Sequence, residues 1–410
     1  MGHDVVGALF LGGTEKVDGG LDLGVAVTAA GDDRPGVLAR VLATSGAEAV
    51  LDLSDEPVLG YRERMELVGV TLAAGRSYLG SDFRFDPPPS SEPLPVPSLA
   101  VIGTGKRTGK TAIAGHAARV ADAMGLSPVI VAMGRGGPAE PLVARAGSVT
   151  VESLLELVSR GQHAASDYLE DALMAGITTV GARRVGGGMA GAAFATNAAE
   201  AAGIAVAEGA GLVILEGSGA SIPPVPWDAG VLVVPAQAPG EYLGGYLGPY
   251  RLLRSQLVVL TMCSGRGSPT DNLPELTAHA RRWGVRFVIT DFVPHPMGDV
   301  RGKTVFLATT APPDIAARQA EKLEAVSGCS VVARSSNLAD RPALARDLAS
   351  APAYDTLLTE LKAAAVDVAC RAALDRGSEV VFVDNRAEVV DGHDDLDVLL
   401  QQVITTATEA

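Results

Sequence analysis

The stretch that most constrains this chain runs from Leu99 to Gly115, LAVIGTGKRTGKTAIAG. Leu99-Ala100-Val101-Ile102 reads as a short buried strand. It feeds Gly103-Thr104-Gly105-Lys106-Arg107-Thr108-Gly109-Lys110-Thr111, and an Ala-rich helical pattern follows from Ala112 to Met124. Strand, glycine loop, Gly-Lys-Thr and helix form the P-loop arrangement. The glycines let backbone N–H groups curl around phosphate oxygens, and the new helix turns its positive end toward them. All residues from Gly103 to Thr111 are therefore candidates for nucleotide binding. Lys110 is expected to reach the β- and γ-phosphates, and the Thr111 hydroxyl to sit on Mg²⁺. A glycine turn that binds nothing would leave Lys106, Arg107 and Lys110 unexplained, since no acid lies between them.

At 410 residues the chain is too long for one ordinary core, so two or three domains are expected. An apolar share of 47% with 20% charged residues describes a soluble α/β protein. Aromatics are only 4%, so Val, Leu, Ile and Ala must fill the cores. The net charge of −15 argues against a nucleic-acid or anionic-membrane surface. A polyanionic ligand would need local basic clusters. Cys263, Cys329 and Cys370 have no metal or redox spacing and read as buried thiols in a reducing cytoplasm. No signal peptide and no membrane-length apolar run is seen. The six histidines are scattered, and none is assigned to chemistry.

The N-terminal part reads as a small α/β unit, 1–85. Asp4–Gly12 and Val25–Ala29 are expected strands, Pro35–Gly46 a helix, Ala49–Leu53 a strand and Arg62–Ala74 a helix or mixed element. Gly12-Gly13 reads as a tight turn, with ligand contact as the alternative. The segment 86–98 holds six prolines and is expected to be a stiff connector. The segment 99–300 opens with the P-loop strand. Its next strand, Pro128–Met133, ends in Gly134-Arg135-Gly136-Gly137-Pro138. Ligands sit at the carboxyl ends of strands in open α/β sheets, so Arg135 and Gly136 are substrate-binding candidates. Val151–Arg160 reads as helical and is followed by Ser166-Asp167-Tyr168-Leu169-Glu170-Asp171-Ala172. A strand at Thr178–Val180 leads into Gly181-Ala182-Arg183-Arg184-Val185-Gly186-Gly187-Gly188-Met189-Ala190-Gly191. Arginine offers a planar fork for phosphate, so Arg183, Arg184, Gly186, Gly187 and Gly188 read as an anion site, the alternative being a solvated loop.

Gly211–Leu215 is an apolar run ending in Glu216-Gly217-Ser218-Gly219. An acid at the end of a buried strand is where a carboxylate holds or orients Mg²⁺, so Thr111 and Glu216 are the metal candidates. Further strands are expected at Gly230–Val234 and Gln256–Thr261, with a short broken helix over Glu241–Arg254 between them. The loop Met262–Ser268 has no Asn-Lys-x-Asp guanine reader, which favours ATP over GTP. The segment 301–410 reads as alternating strands and helices, with a strand at Thr356–Lys362 and a helix at Ala363–Asp375. Lys362 reads as a solvated lysine; a ligand contact is the alternative.

Five residues separate Gly103 from Gly109 where the common motif has four. That spacing, and Glu216-Gly217-Ser218-Gly219, resemble dethiobiotin synthetase and its relatives. Over most of its length the chain resembles the cyclic 2,3-diphosphoglycerate synthetase family. The motifs are LFLGGTEK (Leu9–Lys16), GTGKRTGKT, MGRGGP (Met133–Pro138), SDYLEDA (Ser166–Ala172), RRVGGGMAG, LEGSGASIPP (Leu215–Pro224) and TELKAAAVDVA (Thr359–Ala369). Archaeal members carry further sequence before the strand at Leu9, so the resemblance implies a shortened N-terminal domain here. It implies an α/β protein whose central P-loop NTPase domain, with a parallel sheet, is flanked by smaller N- and C-terminal α/β domains. It also implies a cytoplasmic, homodimeric, ATP- and Mg²⁺-dependent ligase. Such an enzyme closes 2,3-bisphosphoglycerate into a ring through an internal phosphoanhydride and releases ADP and phosphate. Lys110, Lys106, Arg184 and Glu216 are the residues expected to carry that chemistry. An ATP-dependent ligase or kinase on another anionic small molecule keeps the same nucleotide residues. A P-loop switch is the third reading, weakened by the lack of Cys/His clusters. In a MinD-like dimer the signature lysine would fall at Gly105.

Overall fold

A computed structural model describes residues 4–12, 22–263, 271–390 and 394–410. The readings placed on Gly13 to Lys16, on Ser264 to Ser268, and on His3 and His393 lie outside these residues.

The N-terminal unit opens with strands β1 (Ala8–Phe10) and β2 (Val27–Ala29), which pair in parallel. Helix α1 (Arg34–Ser45) follows, capped by the Asp33 carboxylate on the Gly36 N–H. Then come β3 (Ala49–Leu51), α2 (Tyr61–Ala73), β4 (Ser77–Leu79) and β5 (Arg84–Phe85). β3 and β4 are parallel, and β5 is antiparallel to β4. β4 and β5 carry no alternating pattern long enough to be read from sequence. The proline-rich segment after β5 has no helix or strand, yet Leu94 and Val96 pack onto the core and Ser91 N donates to the Pro224 carbonyl.

The centre holds β6 (Ser98–Gly103), α3 (Lys110–Ala123), β7 (Pro128–Gly134), β8 (Leu142–Ala144), α4 (Val151–Ser159) and α5 (Asp167–Ala175). Next come β9 (Thr179–Val185), β10 (Ala195–Thr196), α6 (Ala198–Ala207), β11 (Leu212–Glu216), β12 (Ala229–Pro235), α7 (Glu241–Gly244) and α8 (Gly248–Leu253). β13 (Leu257–Thr261), α9 (Leu273–Arg282) and β14 (Arg286–Pro296) complete this part. The last part contains β15 (Thr304–Ala308), α10 (Pro313–Ser327), β16 (Ser330–Ser335), α11 (Arg341–Ser350) and β17 (Thr356–Thr359). A π-helical turn (Ala365–Cys370), α12 (Arg371–Asp375), β18 (Glu379–Val389) and α13 (Leu396–Glu409) end the chain.

One sheet runs through the last two parts in the order β10-β9-β7-β11-β6-β12-β13-β14-β18-β17-β15-β16, with β8 beside β9. From β9 to β14 the neighbours are parallel. These strands are near-continuous Val, Leu and Ile, as a sheet covered on both faces requires. Along β6, Ala100 and Ile102 face the side holding α6 and the N-terminal unit, while Leu99 and Val101 face α3 and α13. α13 therefore covers the P-loop sheet, although it closes the 301–410 segment. On the first face α2 packs against α8, and Arg282 clamps Glu66 with two bonds of 2.6 and 2.5 Å.

β14 is the joint. Its first half pairs in parallel with β13, and its second half, Thr290 to Pro296, pairs antiparallel with Val389 to Val383 of β18. β18, β17, β15 and β16 are then parallel to one another. The two sets of parallel strands run in opposite directions and are offset along β14, so their carboxyl ends face each other. Two expectations change here. The strand expected at Thr356–Lys362 stops at Thr359, and the following helix begins as a π-turn, because Ala363 takes a left-handed φ of +48°.

Candidate active site

The P-loop leaves the end of β6 and returns as α3. Gly109 has φ +92°, and a Cβ there would lie 2.4 Å from the Phe292 ring, so glycine is required twice over. The Thr261 hydroxyl at the end of β13 donates to the Thr108 carbonyl at 2.7 Å and pins the loop. Lys110 is buried. Its Nζ donates to the Gly105 carbonyl at 2.8 Å and to Thr108 Oγ1 at 3.3 Å, which curls the side chain back over the loop. Burial lowers its pKa to about 8, against the opposing pull of Glu216 and Asp167. Lys106 and Arg107 are exposed, and Arg107 takes a left-handed φ of +57°.

Thr111 Oγ1 donates to Glu216 Oε1 at 2.8 Å, joining residues 105 positions apart. Glu216 ends β11 and is buried. Beside it lies Asp171 of α5, also buried, with neither carboxyl oxygen receiving a hydrogen bond. Burial and the neighbouring Glu216 carboxyl push the Asp171 pKa well above the usual carboxylate range, and burial raises that of Glu216. Both shifts have the same sign because the two carboxyls are buried close together. Among the described residues no group of three or more His, Cys, Asp or Glu is arranged to hold a metal. Thr111, Glu216 and Asp171 nevertheless supply hard oxygens beside the P-loop, and the two orphaned Asp171 oxygens fit a divalent cation. Asp171 was not singled out from the sequence. Its signal was the i, i+3, i+4 spacing of Asp167, Glu170 and Asp171, which puts three acids on one helix face.

β9 continues to Val185, past the expected Thr178–Val180, so Arg183 and Arg184 lie on a strand and point to opposite faces. Arg184 is buried on the P-loop side. A Cβ on Gly219 would lie 3.0 Å from Arg184 Nη2 and 3.5 Å from Lys106 Cγ, so the two cations flank that glycine. Burial, then the nearby Arg135, lowers the Arg184 pKa. Its Nη1 donates to the Gly186 carbonyl, and Gly187 lies beside the same guanidinium. Gly188 turns the loop back, donating to the Ala192 carbonyl at 2.7 Å. Arg183 is exposed, and its Nε donates to the Gly137 carbonyl at 2.6 Å. It braces the loop after β7 rather than joining Arg184. Arg135 and Gly136 project exposed from that loop.

The fold is that of an α/β P-loop protein, with a large, mostly parallel sheet and smaller units at each end. Three family models match, for the N-terminal domain (residues 1–86), the P-loop domain (98–283) and the C-terminal domain (296–386) of cyclic 2,3-diphosphoglycerate synthetase. A protein named cyclic 2,3-diphosphoglycerate synthetase from Rubrobacter xylanophilus is 48% identical over 96% of this chain and 90% of its own length. One of the same name from Methanothermus fervidus is 40% identical over 99% of this chain and 92% of its own. The chain belongs to the cyclic 2,3-diphosphoglycerate synthetase family. Among solved structures, LpxK from Aquifex aeolicus in complex with ATP aligns with a TM-score of 0.43 and 13% identity, over 77% of this chain and 90% of that one. Among the described residues no helix is long and apolar enough to cross a membrane.

Proposed function

We propose that this protein uses ATP to close 2,3-bisphosphoglycerate into its cyclic phosphoanhydride. The observation that carries the reading is the buried Arg184 held beside Lys106 across Gly219, directly over a P-loop. An acidic chain has gathered cations where a second polyanion would meet ATP.

An oxygen of one substrate phosphate attacks the γ-phosphorus of ATP. The bond to the β–γ bridging oxygen breaks, and ADP leaves. The second substrate phosphate then attacks the phosphorus of the first, the new anhydride bond breaks, and inorganic phosphate departs as the ring closes. Both nucleophiles are phosphate oxygens already ionised at neutral pH, so no strong base is needed. Position and charge neutralisation dominate. Residues Gly103 to Thr111 bind ATP, with Lys110 on the β- and γ-phosphates. Lys106 and Arg184 neutralise the transferring group. Arg135, Gly136 and Gly186 to Gly188 border the substrate, while Arg183 holds the Gly137 carbonyl and thereby the Arg135 loop. Thr111, Glu216 and Asp171 would hold Mg²⁺, which supplies charge neutralisation at the β- and γ-oxygens. The same reading carries a cytoplasmic homodimer, checked by sedimentation of the purified chain.

The test is a phosphorus-31 time course with ATP, Mg²⁺ and 2,3-bisphosphoglycerate. An upfield phosphoanhydride signal in a new glycerate species, growing with ADP and phosphate, is expected. Unchanged bisphosphoglycerate beside intact ATP would remove this substrate, and other anionic acids would then be screened.

A further inference from the structure

The carboxyl ends of β15 and β17 face the P-loop because β18 returns antiparallel along the second half of β14. Ligands in parallel sheets bind at such ends, and here two sets of them face each other. The segment leaving β17 there is Glu360-Leu361-Lys362-Ala363. Glu360 is buried and fully engaged. It accepts from Thr309 Oγ1 at 3.2 Å, Thr310 N at 3.2 Å, Thr310 Oγ1 at 2.9 Å and Asn385 Nδ2 at 3.4 Å. Ala363 is held in the left-handed region without being glycine, and a π-turn follows. Both features are unfavourable locally and recur where a chain must present a functional side chain.

What they present is Lys362. Its Nζ lies 3.3 Å from Glu170 Oε1 of α5, and the lysine side chain keeps 42% of its surface open while Glu170 keeps 13%. The same helix face carries Asp167, whose Oδ2 lies 2.8 Å from where a Gly134 Cβ would be, at the carboxyl end of β7. The Asp167 carboxyl is within electrostatic reach of Lys362, Lys110, His163 and Lys106, so Lys362 and the P-loop lysines border one space. A hydrophobic cluster fixes the geometry: Leu169 and Ala172 of α5 pack with Leu357, Leu361 and Ala364.

We propose that Lys362 is a substrate-binding residue supplied from across the cleft. Its ammonium exchanges the Glu170 carboxylate for a phosphate oxygen of the bisphosphorylated substrate. This rests on the substrate reading above and extends it to the C-terminal part of the chain. Glu170 then acts as a leash that competes with substrate for the same ammonium.

The test is equilibrium binding of 2,3-bisphosphoglycerate to the full chain, with ATP binding and thermal midpoint measured on the same samples. Lys362→Gln is expected to weaken bisphosphoglycerate binding about 10- to 100-fold, the loss of one charge-assisted hydrogen bond, with ATP binding unchanged. Lys362→Arg recovers part of the loss. Glu170→Gln removes the contacting carboxylate, leaving Glu360 and Asp167 nearby, and strengthens bisphosphoglycerate binding about 3-fold. Opposite signs at the two partners support the proposal, because a purely structural ion pair would weaken both variants alike. Unchanged affinity in Lys362→Gln overturns the assignment and leaves the substrate reading intact. Parallel loss of ATP binding and thermal midpoint in both variants does the same. Failure of the unaltered chain to bind bisphosphoglycerate overturns the substrate reading and Lys362 with it.

Discussion

Two lysines, Lys110 on the P-loop and Lys362 after β17, are held in opposite ways. Lys110 sits on a loop that neighbouring glycines and its own backbone define, buried against the carbonyl of Gly105, and burial lowers its pKa to about 8. Lys362 follows β17, partly open, and Glu170 raises its pKa above the usual lysine value. One is held on a locally encoded loop, its ammonium bonded to that loop's own oxygens. The other is an ion-paired bracket assembled from distant segments. Lys110 is held by backbone and hydroxyl oxygens of its own loop, whereas Lys362 is held by a carboxylate from another element.

The comparison is sharpest at the cradle. Lys110→Ala is expected to lower kcat about 10³-fold or more, since it removes a preorganised charge at the transferring phosphoryl group. Coupled ADP release checks this, and a loss under tenfold would mean the loop is not the catalytic cradle. The arginine pair comes next. Arg184→Ala should cost about 10²-fold in kcat/KM for the substrate, and Arg183→Ala less than about tenfold, because only Arg184 faces Lys106. Equal losses would break the assignment of opposite strand faces.

A smaller effect is expected at Asp171. Asp171→Asn keeps the shape and removes a charge, so the Mg²⁺ concentration needed for half-maximal ATP binding should rise about tenfold. The reading is a nucleotide titration at fixed pH, separate from turnover. The smallest effect separates the two lysines by pH in the ligand-free protein. Folded Lys110 titrates near 8 rather than its usual 10.5, so the folded state sheds a proton that the unfolded state keeps between those values. The thermal midpoint of the unaltered chain relative to Lys110→Met should therefore rise from pH 8 toward 10. Lys362 is raised, so its contribution is fully present below 10.5 and is lost only above it. The midpoint relative to Lys362→Met should stay level over the same range. A matching rise in both would mean the two lysines share one environment.

Much of the central sheet was legible because its strands are near-continuous apolar runs. β6, β7, β11, β12 and β13 lie within a residue or two of their expected bounds. Short, half-exposed strands such as β4, β5, β8 and β10 were not legible, since two or three residues carry no period. Arg183 and Arg184 were read together as entering a loop. The strand beneath them runs on to Val185, and the pleat then parts neighbours that sequence alone leaves side by side.

By itself the sequence determined the P-loop. Its glycines, Lys110 and Thr111 act through backbone geometry within a single turn, and that physics is local. It also placed Glu216 at the end of a buried strand beside that loop, where Thr111 donates to it. Only the tertiary structure decided which arginine lies beside Lys106, that Asp171 lies beside Glu216, and that Lys362 pairs with Glu170. Each of those depends on a register or a reversal: the pleat of β9, the face of α5, and the antiparallel turn of β18 along β14. Charge–charge contacts between segments this far apart leave no periodic trace along the chain, so they become visible only once the strands have been laid side by side.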